Sequence, residues 1–213
     1  MRGIRAAFVV VLLLATTKGA GAQTAVGPLF RADVSGSLGW LNADKSELDA
    51  SRYSNDWYNR SVYGGASFAW YWTDHWKTEI EGGASSAADL QVYTQPFIDG
   101  RPVTLYSRHR FSTRRLAISQ QYQFYRNVWV HPVVAAGLDL TWERQNRTDE
   151  SYSSLPSRPE TYPTRTELLA RPFATVGLKA YFNSQGFFRT DMKLTFDRGV
   201  DEVLIRVGVG VDF

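Results

Sequence analysis

Glu202-Val203-Leu204-Ile205-Arg206-Val207-Gly208-Val209-Gly210-Val211-Asp212-Phe213 is the stretch on which the fold turns. Val203, Ile205, Val207, Val209, Val211 and Phe213 fall on one parity; Glu202, Arg206, Gly208, Gly210 and Asp212 fall on the other. Side chains of a β-strand point alternately to its two faces, so this segment is a strand with one apolar and one charged face. Each face needs its own environment.

Seven earlier segments repeat the pattern: 30–40, 62–72, 76–84, 116–124, 128–142, 168–182 and 188–196. Each core is close to the ~9–11 residues that a tilted membrane strand requires. Short links (73–75, 125–127, 183–186) alternate with long ones (about 42–60, 86–113, 143–167), and the link near Gly199 is a short exception. On the apolar parity, Phe30, Trp72, Trp76, Tyr122, Phe124, Phe182, Phe188 and Phe213 stand at one end of the strands. Trp40, Trp142 and Phe196 stand at the other, with mostly Val, Leu, Ile, Ala and Gly between. A soluble sandwich collects its large aromatics in mid-core, whereas a membrane barrel places them in two interfacial girdles. The expected fold is all-β: an antiparallel, eight-stranded, up-and-down transmembrane β-barrel. An even strand count puts both termini on the periplasmic side and the long loops outside.

Residues 1–22 stand apart. Arg2 and Arg5, the apolar run AAFVVVLLLA and Ala20-Gly21-Ala22 read as a secretory signal peptide, leaving 23–213 as the barrel domain. The chain has 24 basic and 21 acidic side chains; losing Arg2, Arg5 and Lys18 with the signal leaves 21 of each sign. The basic excess therefore belongs to export and gives no reason to expect a nucleic-acid partner. The absence of cysteine excludes a thiol metal site and a lipoprotein anchor.

The polar parity carries eight cations, Arg31, Lys77, Arg115, Arg171, Lys179, Arg189, Lys193 and Arg206. It carries nine anions: Asp33, Glu79, Glu81, Asp139, Glu143, Asp191, Asp197, Glu202 and Asp212. Eight strands enclose only enough space for side chains, so these groups are expected to form a packed ionic network rather than line an open pore. Pro132 and Pro172 sit on the lipid parity of adjacent strands. They read as strand ends or bulges, or as a gap between strands that admits a lipid tail.

Residues 90–111, with Asp99-Gly100 as the turn, are expected to form a hairpin above the membrane. Its returning arm is basic, and Arg108, Arg110 and Arg114 are candidate contacts for the phosphates of outer-leaflet glycolipid (lipopolysaccharide). No cofactor, metal cluster or phosphate loop is legible. The histidines are His75 in a short turn, His109 in the hairpin and His131 in the lumen. Asn59-Arg60-Ser61 and Asn146-Arg147-Thr148 match the glycosylation acceptor pattern and are read as chance.

The terminal stretch also resembles the carboxy-terminal signal of bacterial outer-membrane barrels. Arg206 is the polar residue, Gly208 the glycine two on, Val211 the hydrophobic residue and Phe213 the final aromatic. The resemblance implies delivery to the barrel-assembly machinery, and the whole chain is similar to the small OmpA/OmpX-type group. That group includes anchors, adhesins and lipid A enzymes, so the fold does not choose the function. The lipid A deacylase pattern has a His and a Ser two residues apart on a strand. Here Val133 lies two past His131 and Phe111 two past His109, with Ser107 two before it. The leading expectation is a non-enzymatic barrel, structural or binding an unknown surface ligand. A lipid A-modifying enzyme and a narrow ion channel are the alternatives.

Overall fold

The computed structural model describes residues 31–44, 59–94, 97–98, 100–102, 104–124, 129–152 and 159–213. The signal peptide, Phe30, Asp99, the link at 125–127 and most of the long link after residue 44 lie outside them. Twelve strands run in chain order. They are β1 (Ala32–Ala43), β2 (Asn59–Tyr71), β3 (Trp76–Ser85), β4 (Ala88–Thr94), β5 (Phe97–Ile98), β6 (Arg101–Pro102), β7 (Thr104–Gln123), β8 (Val130–Tyr152), β9 (Glu160–Thr161), β10 (Arg165–Tyr181), β11 (Gly186–Asp197) and β12 (Gly199–Asp212). Antiparallel pairing runs β1-β2-β3-β7-β8-β10-β11-β12 and returns from β12 to β1. The eight-stranded antiparallel barrel expected from the sequence is the fold.

Its two faces are inverted relative to a soluble protein. Leu38, Trp40, Ile118, Leu138, Val207 and Val209 are more than half exposed on the outer wall, while Asp33, Asp139 and Lys193 are fully buried inside. At the short-turn end, Trp72, Trp129, Phe182, Phe188 and Phe213 are more than half exposed on the outer wall. Trp76 meets Tyr122 edge-on at 5.0 Å, and Tyr122 meets Phe124 at 4.8 Å. From Trp129 to Trp142 the chain climbs about 34 Å along the barrel axis, at ~3.4 Å per residue and ~40° of tilt. That matches a bilayer's ~30 Å hydrocarbon core with an aromatic belt at each interface.

The short turns are held by side-chain oxygens. Thr73 Oγ1 accepts from the amides of His75 and Trp76 at 3.3 and 3.0 Å, and Asn183 Oδ1 accepts from those of Gln185 and Gly186 at 2.9 and 2.5 Å. Both prolines sit in an unbroken β8–β10 ladder, where Pro172 pairs with Leu138 and Pro132 with Leu178. Pro172 lies one residue beyond the last β10–β11 pair, Phe173 with Thr195. Pro132 lies one beyond the last β7–β8 pair, Gln123 with Val133. The Pro132 carbonyl accepts from Phe124 N at 2.9 Å, so its missing donor faces the frayed end of that ladder. Neither proline breaks the β8–β10 ladder: Pro132 lies near the start of β8, and Pro172 lies within β10 where its pairing with β11 ends.

The long links differ from expectation. Residues 143–152 continue β8 instead of looping, paired with 104–113 of β7, and β4 and β9 add one strand on each side. A four-stranded sheet thus stands beyond the second girdle; β8 alone runs ten residues past Trp142, about 34 Å along the strand. The hairpin turn at Gly100, with φ +72°, lies between β5 and β6. Between β3 and β4 the register slips by one residue. Ala84 pairs with Arg114, but Ala88 pairs with Phe111. This bulge moves the inward parity onto Ala88, Leu90 and Val92, which are buried with Phe111.

Candidate functional site

Among the described residues, the buried Asp, Glu, Lys and Arg side chains number fourteen. Seven are cations (Lys77, Arg115, Arg171, Lys179, Arg189, Lys193, Arg206) and seven are anions (Asp33, Glu79, Glu81, Asp139, Asp191, Glu202, Asp212). A buried ion costs several kcal/mol unless it is paired and hydrogen-bonded, so equal numbers in contact are the physical requirement for placing them there.

The contacts form two chains of alternating sign, one of nine groups and one of five. Tyr63 donates to Glu81 at 2.6 Å, and Arg206 pairs with Glu81 and, at 2.7 Å, with Asp191. Arg189 bridges Asp191 and Glu79, both at 2.6 Å. Lys77 stands 3.6 Å from Glu79 and 2.6 Å from Asp33. Lys179 joins Asp33 at 3.2 Å to Asp212 at 2.6 Å, and Tyr181 donates to Asp212. Towards the long-strand end, Arg115 reaches Glu202 at 2.6 Å and Asp139 at 3.5 Å. Arg171 joins Glu202 at 2.8 Å and also Asp201. Lys193 lies 2.6 Å from Asp139 as an ion pair rather than an aligned hydrogen bond, with its ammonium 4.0 Å from the Phe173 ring centre.

Three expected members lie elsewhere. Arg31 precedes β1 and Asp197 ends β11, so both reach water; Glu143, one residue past Trp142, is half-buried where the barrel gives way to the protruding sheet. Parity assigns a face, not a depth. Conversely, sequence reasoning missed the aromatic part of the network. Tyr71 donates to Asp33 at 2.8 Å, and the Lys179 ammonium lies 3.8 Å from the Phe187 ring centre. Tyr63 crosses a floor made by Gly65 and Gly83; a Cβ on Gly83 would come 2.1 Å from its hydroxyl. Gly210 likewise yields to Phe187, 2.2 Å from where its Cβ would be. These aromatics were legible as large rings on the polar parity, with glycines on the same parity of nearby strands.

The terminal residues close the barrel. Phe213 N donates to Ala32 O at 2.9 Å, and its carbonyl accepts from Ala32 N at 3.0 Å. On the same strand Arg206 joins the longer ionic chain, Gly208 backs onto the Gly36 carbonyl, and Val211 is half exposed on the outer wall.

In the protruding sheet, Ser107, His109 and Asp149 share the inward face. His109 Nδ1 accepts from Gln145 Nε2 at 2.9 Å, which places the neutral imidazole's proton on Nε2. Burial and the nearby Arg147 cation depress its pKa, and Asp149 opposes them only in part. Asp149 itself is held below the usual carboxylate range by hydrogen bonds from Arg147 and Ser107, with Arg147's charge adding to them. The serine proton therefore goes to the carboxylate and not to the imidazole, which is the wrong connectivity for a nucleophilic relay. His75 bonds the Gln123 carbonyl at 2.9 Å, and His131 stacks edge-on against Tyr181 at 5.4 Å. Among the described residues no group of three His, Asp or Glu is placed to hold a metal.

Arg108, Arg110 and Arg114 all lie on the outward parity of β7 and are exposed. They are not equivalent. Arg108 bonds Asp89 at 2.5 Å, whereas Arg110 approaches Asp89 only to 3.9 Å.

No family model matches the sequence, and no curated protein matches it. Solved structures do. Pseudomonas aeruginosa OprG shares 13% identity over 86% of this chain and 97% of its own, with a TM-score of 0.50. The N-terminal β-barrel domain of P. aeruginosa OprF shares 18% over 86% and 98%, with a TM-score of 0.46. Neisserial surface protein A shares 13% over 85% and 97%, with a TM-score of 0.48. At these identities the likeness is one of fold: the small outer-membrane β-barrel.

Proposed function

We propose that this chain is a closed, non-enzymatic outer-membrane anchor that holds a four-stranded β-sheet outside the cell for contact with a surface ligand. One observation carries the reading. The lumen is occupied by two ion-paired chains that together hold fourteen buried charges, while β4, β7 and β8 continue past the second girdle. A filled lumen suits a platform better than a channel, and the protruding sheet is what the platform presents. The short turns face the periplasm and the sheet faces outward, consistent with the short-turn, long-loop asymmetry of such barrels. The terminal strand serves as the signal to the barrel-assembly machinery, with Phe213 as its main element.

Two measurements test the proposal. The full chain inserted in planar bilayers is expected to give no steady conductance steps; regular steps would sink the closed-platform reading. Protease added to intact cells is expected to cut near Gly100 and leave the turns at 73–75 and 183–186 intact. The reverse pattern would invert the orientation and end the display argument.

A further inference from the structure

The outward face of β7 and β8 changes character at Trp142. Below it stand Leu140, Leu138, Leu116 and Ile118, all exposed to the surroundings of the barrel. At and above it the register sets Arg114 beside Trp142, Ser112 beside Arg144 and Arg110 beside Asn146. A shallow cleft opens there, lined by Ala87, Arg110, Ser112, Arg144 and Asn146. The β3–β4 bulge makes it, because the extra residue leaves small Ala87 next to the β7 strand where a larger side chain would fill the space.

The chemistry of this cleft is one-sided. It holds two guanidinium groups, a hydroxyl and an amide, and among the described residues no carboxylate lines it. Asp89 directs its charge to Arg108 and leaves Arg110 largely unneutralised. Asn146 adds a buried side-chain oxygen with no hydrogen-bond partner. Height completes the picture. Arg114 is level with the Trp142 girdle, Arg144 stands about 5 Å above it and Arg110 about 10 Å, at ~3.4 Å per residue and ~40° of tilt. A bilayer's polar layer extends roughly 5–8 Å beyond each face of its hydrocarbon core. Arg114 and Arg144 therefore stand within the layer where lipid phosphates lie, and Arg110 just above it, on the wall that lipid touches.

We infer that this cleft binds the phosphorylated sugar headgroup of an outer-leaflet glycolipid. Arg110 and Arg144 clamp a phosphate, Arg114 supports it from below, and Asn146 accepts a hydrogen bond from a sugar hydroxyl. Guanidinium suits this task because its planar donor fork matches two phosphate oxygens. Two partners are demanded at once, an anion and a hydroxyl donor, and a phosphorylated sugar supplies both. The inference rests on the outward orientation of the protruding sheet, and it shifts the weight of the basic face from Arg108 to Arg144.

The test uses the full chain in phosphatidylcholine nanodiscs carrying bisphosphorylated lipid A or its dephosphorylated form, with bound glycolipid counted by native mass spectrometry. Folding is checked by heat-modifiable mobility. The Arg110→Gln/Arg144→Gln pair is expected to weaken retention of the phosphorylated form at least about tenfold, since one charge-assisted hydrogen bond is worth ~1.5–3 kcal/mol. Arg108→Gln/Asp89→Asn removes the exposed Arg108–Asp89 pair together, leaves Arg110 uncompensated and is expected to stay within about threefold of wild type. Arg110→Lys/Arg144→Lys keeps the charge but loses the fork and is expected to fall between, and it stands in if the Gln pair does not fold. Equal retention of dephosphorylated lipid A, or wild-type retention by the Gln pair, would overturn the inference. So would displacement of the lipid by inorganic phosphate or a heparin fragment at equal anion concentration, which would make this a soluble-anion site. Protease mapping on intact cells reports orientation separately, so a failed cleft and a failed orientation give different results.

Discussion

Removing Arg189 probes the ionic interior inside the longer of its two chains. Its guanidinium bridges Asp191 and Glu79 at 2.6 Å each, from a side chain about nine-tenths buried. Arg189→Met keeps most of the volume and deletes two charge-assisted hydrogen bonds. Asp191 retains Arg206 at 2.7 Å, but Glu79 is left with only Lys77 at 3.6 Å, so the loss concentrates on Glu79. Breaking a buried pair from one side costs about 3–5 kcal/mol, and the same is expected here. Neutralising the stranded partner should return part of it. Arg189→Met/Glu79→Gln restores equal numbers of buried cations and anions and leaves Lys77 bonded to Asp33 at 2.6 Å, so a recovery of about 2 kcal/mol is expected. Urea unfolding in lipid vesicles, followed by tryptophan fluorescence and by the folded band on cold gels, measures both. A single variant within about 1 kcal/mol of wild type, or a double variant no more stable than the single, would refute the claim that the interior is held by mutual charge pairing.

Further predictions concern other parts of the barrel. Gly83→Ala should cost about 1–3 kcal/mol by pushing the Tyr63 hydroxyl off Glu81, while Gly82→Ala, with nothing within 4 Å of its Cβ, should be neutral; equal effects in vesicle unfolding would contradict the packing described. Phe213→Ala keeps the backbone bonds to Ala32 and removes a ring already 59% exposed, so refolded protein should lose no more than about 1 kcal/mol while the amount assembled in cells drops several-fold; unchanged assembly would remove the terminal ring from the signal. Acid should loosen the protruding sheet. His109 has its pKa depressed below 6.5 in the folded state, so its contribution is full above that pH and is lost as pH falls through the folded value. Amide exchange across 104–113, corrected for intrinsic rates, should rise from pH 7.5 to 5 in wild type and stay flat in His109→Gln.

Sequence periodicity was sufficient for the barrel wall because lipid and lumen impose opposite demands on alternate residues. Wherever that contrast is lost, so is the signal. Residues 145–152 (QNRTDESY) carry polar side chains on both parities up to Glu150, so nothing in their hydropathy distinguishes strand from loop. Yet they pair with β7 over their whole length. The inner network was legible by face but not by depth, which is why Arg31 and Asp197 emerge into water while Arg189, on the same parity, is buried. Register was not legible at all. Tyr63 needs Gly65 and Gly83 beneath it, and only pairing of Gly65 with Gly83 brings those two glycines together.

The same loss of register explains why Arg108, Arg110 and Arg114 look equivalent in sequence but differ in the fold. Straight alternation from β3 would turn Asp89 towards the barrel interior. The one-residue slip between Ala84–Arg114 and Ala88–Phe111 turns it outward instead, against Arg108. That single insertion neutralises the uppermost arginine, opens space beside Ala87 and leaves Arg110, Arg114 and Arg144 facing the headgroup layer. A bulge at the point where barrel becomes protruding sheet thus does two jobs. It opens the space beside Ala87, and it sorts the basic side chains into one that stabilises the sheet and three that remain available to anionic lipid. Deleting Ala87 should straighten the ladder and close the space beside it while leaving Asp89 opposite Arg110 on the outward face; if glycolipid retention survives that deletion unchanged, the cleft is not what holds the lipid.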